Sequence, residues 1–234
     1  MRVWDSILAF LLRLWLRDER RYARRWILRL KLGRRHSTLG NDVKDEAETR
    51  RKAEQWLAYM RGLGLKPNHA CVEIGCGSLW AAEPVIRYLD PGKYVGLDIT
   101  DYFFSLGRQR LGTLIDKKRV ELRVLTPGEL ARQAARPADF VFARKVLAHV
   151  EPDELPEFMT NFCRLIHSGT IGVIDNPKTE TTGYRNPGTI AYALADILPH
   201  VPPGIKCTQH RFTLILCREM APVMNPDDAA RAFA

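Results

Sequence analysis

The sequence predicts an α/β domain built on a mostly parallel, doubly wound sheet of seven strands with an antiparallel edge, preceded by a helical extension. Short apolar runs alternate with helical segments from about residue 66, which is typical of βαβ units. One of these runs leads into a glycine-rich turn. The last two β-rich runs, 205–209 and 211–217, are separated by almost nothing, so they can pair only as a tight antiparallel unit.

The extension, residues 1–40, reads as one or two basic amphipathic helices. Aromatic and leucine side chains recur there at helical spacing: Trp4, Leu8, Leu11, Trp15, Tyr22, Trp26 and Leu30. Arginines fill the intervening positions. A secretory signal is not expected, because the apolar stretch 7–12 is short, ends at Arg13 and is followed by more arginines.

Charge is concentrated in this extension. The chain has a net charge of +9, and residues 1–35 hold eleven basic and three acidic side chains, so the remainder of the chain carries only +1. A nucleic-acid enzyme usually needs positive charge leading to its active site, so nucleic acid is the less favoured partner. An arginine-rich helix with aromatic side chains favours an anionic membrane surface or packing as a cap or oligomer helix.

A charged helix over 43–60 leads into the core, with Ala47, Ala53, Trp56, Leu57 and Met60 expected to face inward. We assign residues 41–65 to this segment, 66–220 to the core domain and 221–234 to a loose tail. Parallel strands are predicted at 70–74, 94–98, 120–125, 140–143 and 171–175.

The five cysteines lack the paired short spacing of a zinc site, so no metal centre is predicted. Their odd number and their apolar surroundings favour a reduced, cytoplasmic protein in which each thiol is a small buried side chain. The extension adds the expectation of peripheral attachment to the inner face of a membrane.

The stretch from Cys71 to Ser78 is an apolar strand that runs into a turn with glycines at 75 and 77. Glycine lets the backbone turn sharply and approach a ligand that a Cβ would obstruct. The second strand ends in Asp98, where a carboxylate can accept hydrogen bonds from both hydroxyls of a ribose. Together, these features predict a nucleotide-type cofactor site at the carboxyl end of the sheet.

This order of strand, glycine turn, helix, strand and acid resembles the Rossmann-like class I S-adenosylmethionine-dependent methyltransferase family over residues 66–220. The resemblance implies S-adenosylmethionine as cofactor, with contacts from Glu73, Gly75, Cys76, Gly77, Asp98 and Ile99. Two positions depart from the family pattern. Leu79 replaces a third glycine, and the third strand is followed by Thr126 and Glu129 where an acidic residue often touches adenine.

The fourth strand and its continuation also resemble the family, which implies that Ala143 and Arg144 line the donor pocket. His149 is a candidate general base, although a histidine buried against the next helix is the more common arrangement. Tyr184 and Arg185 lie in a long loop after the fifth strand that could form a lid or a substrate wall, with Tyr184 a further catalytic candidate. Asn176 and its neighbours fit a strand-end turn better than the tetrapeptide of nucleic-acid amino-methyltransferases.

The resulting hypothesis is a methyltransferase acting on a small-molecule or lipid-like acceptor, with a membrane surface as one place where it would act. Two alternatives stay open: a non-catalytic methyltransferase-like binding module, and an RNA methyltransferase that uses the basic extension. The sequence does not identify the acceptor atom or the oligomeric state.

Overall fold

The computed structural model describes residues 45–186 and 189–218. The extension predicted over residues 1–40 and the tail predicted over 221–234 lie outside the described residues. Within the described part of the chain, no helix combines the length and the apolar character needed to cross a membrane.

Helix α1 spans Glu46–Gly62 and begins where Asp45 caps it, its Oδ1 accepting a hydrogen bond from the Glu48 amide at 2.8 Å. Trp56 and Met60 are buried, as the helical spacing predicted. Ala47 is exposed, contrary to the prediction, because the buried face of α1 begins only at Ala53 and the first turn extends past the core.

Seven strands form the main sheet, with the bounds Cys71–Ile74 (β1), Tyr94–Asp98 (β2), Glu121–Val124 (β3), Phe140–Ala143 (β4), Ile171–Asp175 (β5), Ile205–His210 (β8) and Thr213–Arg218 (β9). Their order across the sheet is β3-β2-β1-β4-β5-β9-β8. Strands β1 to β5 are parallel, and β9 pairs antiparallel with both β5 and β8. The predicted doubly wound sheet with an antiparallel edge is therefore confirmed.

Helices occupy the connections between strands. Their bounds are Ala82–Tyr88 (α2), Asp101–Leu111 (α3), Thr113–Lys117 (α4), Pro127–Ala134 (α5), Leu155–Cys163 (α6) and Leu194–Ile197 (α7), with 3-10 turns at Leu147–His149 and Leu198–His200. Every residue of β1, β2 and β4 is buried, because hydrophobic clusters cover both faces of the sheet. Of the five cysteines, four are buried and Cys207 is partly exposed, and none forms a disulfide.

Strand β9 begins at Thr213 and not at 211, because Arg211 adopts a positive φ of 46° in the tight turn after β8. A larger difference lies after β5, where the sequence predicted a long loop. A two-stranded hairpin forms there, with β6 at Gly183–Asn186 and β7 at Thr189–Ala191. Residues 187 and 188, between these strands, are not described.

Buried contacts explain why this segment is ordered. Tyr192, directly after β7, is 1% exposed and donates its hydroxyl hydrogen bond to the Val150 carbonyl at 2.7 Å. Asn176 is equally buried, and its side-chain Nδ2 donates to the Tyr192 carbonyl at 2.9 Å. The Asn176 Oδ1 accepts a hydrogen bond from the Tyr192 backbone amide at 3.3 Å. The Asn176 side chain therefore holds the hairpin against the sheet, as a strand-end turn residue would.

Candidate cofactor and acceptor site

The glycine turn lies at the carboxyl end of β1 and folds back over β2. The Gly75 and Cys76 amides donate to the Leu97 carbonyl at 2.7 and 3.2 Å. Gly75 has a φ of +73°, and a Cβ there would lie 2.3 Å from the Val146 side chain. Gly77 has a φ of +52°, but a Cβ there would meet nothing within 4 Å. Gly75 is thus required by packing, whereas Gly77 borders open space that a ligand can enter.

Asp98, the last residue of β2, faces this turn. Its Oδ2 accepts a hydrogen bond from the Gly77 amide at 2.7 Å, and the backbone amides of Ile99 and Thr100 also donate to its carboxylate. The side chain is 4% exposed, and burial raises the pKa of Asp98 to about 7 in spite of these donors. Gly77 and Asp98, which are 21 positions apart in the sequence, are therefore joined by a hydrogen bond. The Asp98 carboxylate lies beside a glycine whose Cβ position borders open space.

Leu79, at the position of the missing third glycine, adopts a left-handed φ of 61° and is fully buried. Its side chain occupies the space beside Gly107 of α3, where a Cβ on Gly107 would lie 2.6 Å from the Leu79 Cγ. A left-handed non-glycine residue costs about 1–2 kcal/mol, which the burial of a leucine side chain offsets. The leucine at this glycine position is therefore accommodated because Gly107 of α3 has no side chain, which leaves space for the Leu79 side chain.

Glu73 lies beneath the turn, with 1% of its surface exposed, and its Oε2 accepts a hydrogen bond from the Tyr94 hydroxyl. Burial raises the pKa of Glu73 to about 8, so the acid is largely protonated at neutral pH. Contact between Glu73 and the cofactor stays a prediction. Its described hydrogen bond serves the packing of β1 against β2.

At the β3 end, the two adenine candidates already have protein partners. The Thr126 hydroxyl caps α5 by accepting from the Glu129 amide at 3.1 Å. The Glu129 carboxylate receives a hydrogen bond from Arg123 at 2.5 Å and lies 3.6 Å from Arg132. Both groups are thus used by the fold itself, and their contact with adenine stays a prediction.

Arg144 follows β4, directly after the fully buried Ala143. Its guanidinium lies 5.4 Å from the ring centroid of Trp56, and its Nη2 donates to the Lys52 carbonyl of α1 at 2.8 Å. Burial lowers the pKa of Arg144, while the charges of Asp175 and Glu73 oppose that shift. Sequence reasoning placed Arg144 in the pocket but missed its neighbour Trp56, which the helical pattern marked only as a core residue.

The two catalytic candidates lie on the same side of the domain. His149, partly exposed, ends the 3-10 turn that packs against β7, and Tyr184 on β6 is 60% exposed. The Tyr184 hydroxyl donates to the Glu151 carboxylate at 2.8 Å. Glu151 was not predicted, and its only signal in the sequence is its position two residues after His149.

Comparisons with known proteins agree with this site. Residues 72–171 match a family model described as a methyltransferase domain. No curated protein matches the sequence.

Three solved structures share the fold. Magnesium protoporphyrin IX methyltransferase from Synechocystis PCC 6803, solved with bound SAM, is 16% identical with a TM-score of 0.51, covering 71% of this chain and 77% of its own. An O-methyltransferase family protein from Burkholderia thailandensis is 13% identical with a TM-score of 0.55, covering 75% and 58%. The CcbJ methyltransferase from Streptomyces caelestis is 12% identical with a TM-score of 0.52, covering 73% and 90%.

The fold, the glycine turn and Asp98 form a Rossmann-like domain whose site suits a nucleotide-type cofactor. The family match identifies residues 72–171 as a methyltransferase domain, and this supports an S-adenosylmethionine-dependent enzyme of class I. The open side of Gly77 beside Asp98 fits S-adenosylmethionine, which supports it as the cofactor.

Proposed function

We propose that this enzyme methylates a small-molecule or lipid-like acceptor held at an anionic membrane surface, and that residues 1–32 attach it there. The observation that supports this proposal is the distribution of charge, with a net +8 in residues 1–35 and +1 in the rest of the chain. Each cation near an anionic surface contributes about 1 kcal/mol, and the tryptophans of the extension suit the membrane interface.

The same distribution makes RNA the weaker acceptor. The near-neutral remainder of the chain offers a polyanion little net attraction toward the sheet. An RNA acceptor would require the extension alone to hold the nucleic acid. Acceptors without that requirement, which are small molecules and lipids, are therefore favoured.

The bound donor supplies an electrophilic methyl group on a sulfonium. In the proposed reaction, the acceptor atom forms a bond to the methyl carbon while the carbon–sulfur bond breaks, leaving S-adenosylhomocysteine. The chain aligns the two reactants and excludes water, which can lower a barrier by several kcal/mol. We assign the proton released by a hydroxyl or amine acceptor to His149, whose 3-10 turn lies beside the hairpin.

The hairpin β6–β7 forms the acceptor wall in this proposal. Tyr184 presents an exposed aromatic ring, and its hydroxyl donates a hydrogen bond of 2.8 Å to the Glu151 carboxylate. A lipid-like acceptor would pack on such a ring, because an aromatic side chain offers a large apolar area with a polar end.

The acceptor class can be tested with a radiolabelled methyl donor incubated with the enzyme and a cell extract. Separation into lipid, small-molecule, RNA and protein fractions should place the label in the first two fractions. A label confined to RNA would contradict the proposal. The matched control is His149→Gln, which should lose most of the incorporation while keeping its affinity for S-adenosylhomocysteine.

Membrane attachment can be tested by sedimentation with vesicles of anionic or neutral lipid. Replacing Arg20, Arg21, Arg24 and Arg25 by glutamine should abolish sedimentation with the anionic vesicles and leave donor binding unchanged. The control variant replaces Arg50 and Arg51, exposed residues of α1, and should sediment like the parent enzyme. Equal loss in both variants would contradict a role specific to the extension.

A further inference from the structure

The 3-10 turn Leu147–His149 is fixed at both of its ends. Before it, the Val146 side chain fills the space beside Gly75, where a Cβ would lie only 2.3 Å away. After it, the Val150 carbonyl accepts a hydrogen bond from the Tyr192 hydroxyl at 2.7 Å. The 3-10 turn therefore connects the glycine turn of the cofactor site to the hairpin β6–β7.

Two backbone hydrogen bonds hold this turn together. The His149 amide donates to the Val146 carbonyl at 2.8 Å, and the Val150 amide donates to the Leu147 carbonyl at 3.1 Å. Leu147 and Val150 are both buried. Because one peptide bond joins His149 to Val150, a shift of the Val150 carbonyl also shifts the backbone of His149.

The Tyr192 hydroxyl is a buried donor that keeps its proton near neutral pH. The side chain is 1% exposed, and burial, together with the charge of Glu151, raises the pKa of the Tyr192 phenol. A phenol must be protonated to donate to a carbonyl. The hydrogen bond to Val150 is therefore present over the whole pH range in which an enzyme of this kind would be assayed.

The backbone of Tyr192 is itself held by Asn176, which directly follows β5. The Asn176 Nδ2 donates to the Tyr192 carbonyl at 2.9 Å, and the Tyr192 amide donates to the Asn176 Oδ1 at 3.3 Å. The Asn176 amide in turn donates to the carbonyl of Phe212, directly before β9, at 2.8 Å. The phenol is thus anchored to the main sheet and not only to the hairpin.

The hairpin makes a second hydrogen bond to the same segment, from the Tyr184 hydroxyl to Glu151. Tyr184 is 60% exposed, so water competes for both groups, whereas the hydrogen bond from Tyr192 is shielded from water. Of the two tyrosines, Tyr192 is therefore the one that fixes the end of the 3-10 turn.

We propose that Tyr192 is a positioning residue for methyl transfer, because its hydroxyl fixes the end of the turn Leu147–His149 and so holds His149 beside the acceptor wall. Tyr192 acts through His149 and takes no part in binding the donor. Proton transfer requires the base to lie within hydrogen-bond reach of the acceptor atom, so a loosened turn lowers the rate. The inference rests on the proposed function, in which His149 receives the proton released by the acceptor.

The test is a double-mutant cycle on the full chain, with radiolabelled S-adenosylmethionine as donor and the extract fraction that takes up the label as acceptor. Tyr192→Phe removes only the hydroxyl. The initial rate at saturating donor should fall about threefold to tenfold, the range that loss of one buried hydrogen bond between neutral groups allows. In the His149→Gln background, the same substitution should change the residual rate less than about twofold, because the group through which Tyr192 acts is absent.

Tyr88→Phe is the matched control. The Tyr88 hydroxyl donates to the Leu65 carbonyl at 3.1 Å, between segments that precede β1 and β2 at the amino end of the sheet. This variant loses the same kind of hydrogen bond and should keep the rate of its parent in both backgrounds. Calorimetry with S-adenosylhomocysteine should give an unchanged affinity for every variant. Thermal unfolding verifies folding, and Asn176→Ala, which frees the Tyr192 backbone, takes the place of Tyr192→Phe in the cycle if that variant does not fold.

Equal fold-losses from Tyr192→Phe in both backgrounds would overturn the positioning role, since Tyr192 would then act independently of His149. A rate unchanged by Tyr192→Phe, or the same loss in Tyr88→Phe, would also overturn it. If His149→Gln alone kept the full rate, the assignment of the proton in the proposed function would fail, and the positioning role would fail with it. That outcome is distinct from equal losses beside an impaired His149→Gln, which would refute the positioning role alone.

Discussion

Lowering the pH from 8 to 6 should weaken the binding of S-adenosylhomocysteine, because Asp98 must be ionised to accept hydrogen bonds from both ribose hydroxyls. Burial raises the pKa of Asp98 to about 7 in the ligand-free protein. Hydrogen bonds donated by the ligand favour the carboxylate and lower this pKa in the complex. Binding below pH 7 therefore has to release a proton.

The size of the effect follows from this pKa. Each pH unit below about 7 lowers the ionised fraction close to tenfold, so the dissociation constant at pH 6 should be roughly ten times that at pH 8. Calorimetry in buffers of different ionisation enthalpy measures both the affinity and the proton released. Asp98→Asn should bind more weakly at pH 8 and should lose most of the pH dependence. A pH-independent affinity in the unaltered enzyme, or a variant that keeps the parent's profile, would refute this reasoning.

The Asp98 carboxyl group has the opposite effect on the stability of the fold, which decreases as the pH rises while the affinity for the cofactor increases. Because its pKa in the folded protein lies above its ordinary value of 3.8, the stability it contributes is present at low pH and is lost as the pH rises through about 7. Between pH 5 and 8, the ligand-free enzyme should lose roughly 3 kcal/mol relative to Asp98→Asn in urea unfolding. A constant difference between the two proteins would show that Asp98 has an ordinary pKa.

Three further predictions concern packing and the glycine turn. Gly77→Ala should lower the free energy of unfolding by only about 1–2 kcal/mol yet greatly weaken donor binding. Gly75→Ala should destabilise the fold more strongly, because its Cβ would lie 2.3 Å from the Val146 side chain. Equal effects of the two variants on urea unfolding and on binding measured by calorimetry would contradict this distinction. Gly107→Ala should cost about 1–3 kcal/mol, and only part of this cost should disappear in the Leu79→Ala background, because the Ser78 carbonyl oxygen would still lie 2.8 Å from the added Cβ; a double-mutant cycle of urea unfolding measures the coupling. Asn176→Ala removes the side-chain hydrogen bonds to the Tyr192 carbonyl and amide, so it should cost about 1–3 kcal/mol and increase proteolysis within the hairpin while sparing donor binding; unchanged proteolysis would argue against its anchoring role.

The sequence predicts the sheet and the glycine turn well, because each depends on local signals. The alternation of apolar runs identifies β2, β4 and β5 to the residue, and Gly77 and Asp98 are recognisable from their positions at the ends of adjacent strands. These features need only the period of a strand and the conformational freedom of glycine.

The rest depends on contacts between distant residues. The hairpin is ordered by Tyr192 and Asn176, whose partners lie up to 42 positions away, and no local pattern marks them. Arg144 reaches the Lys52 carbonyl across 92 positions, so its contact with Trp56 is invisible in a helical pattern that assigns Trp56 simply to the core. Leu79 occupies a glycine position because Gly107 leaves room for it, a complementarity that neither residue reveals alone.

The hydrogen bond between Asp98 and the Gly77 amide has a consequence for turnover. In the ligand-free enzyme, three backbone amides already hold the acid that should bind the ribose, yet burial keeps its pKa at about 7, so binding near neutral pH also has to release a proton. The release of that proton cancels part of the gross binding energy. The product, S-adenosylhomocysteine, has nearly the same shape as the donor and binds the same site. A lower net affinity of that site therefore lets the product leave faster and allows the next donor molecule to bind.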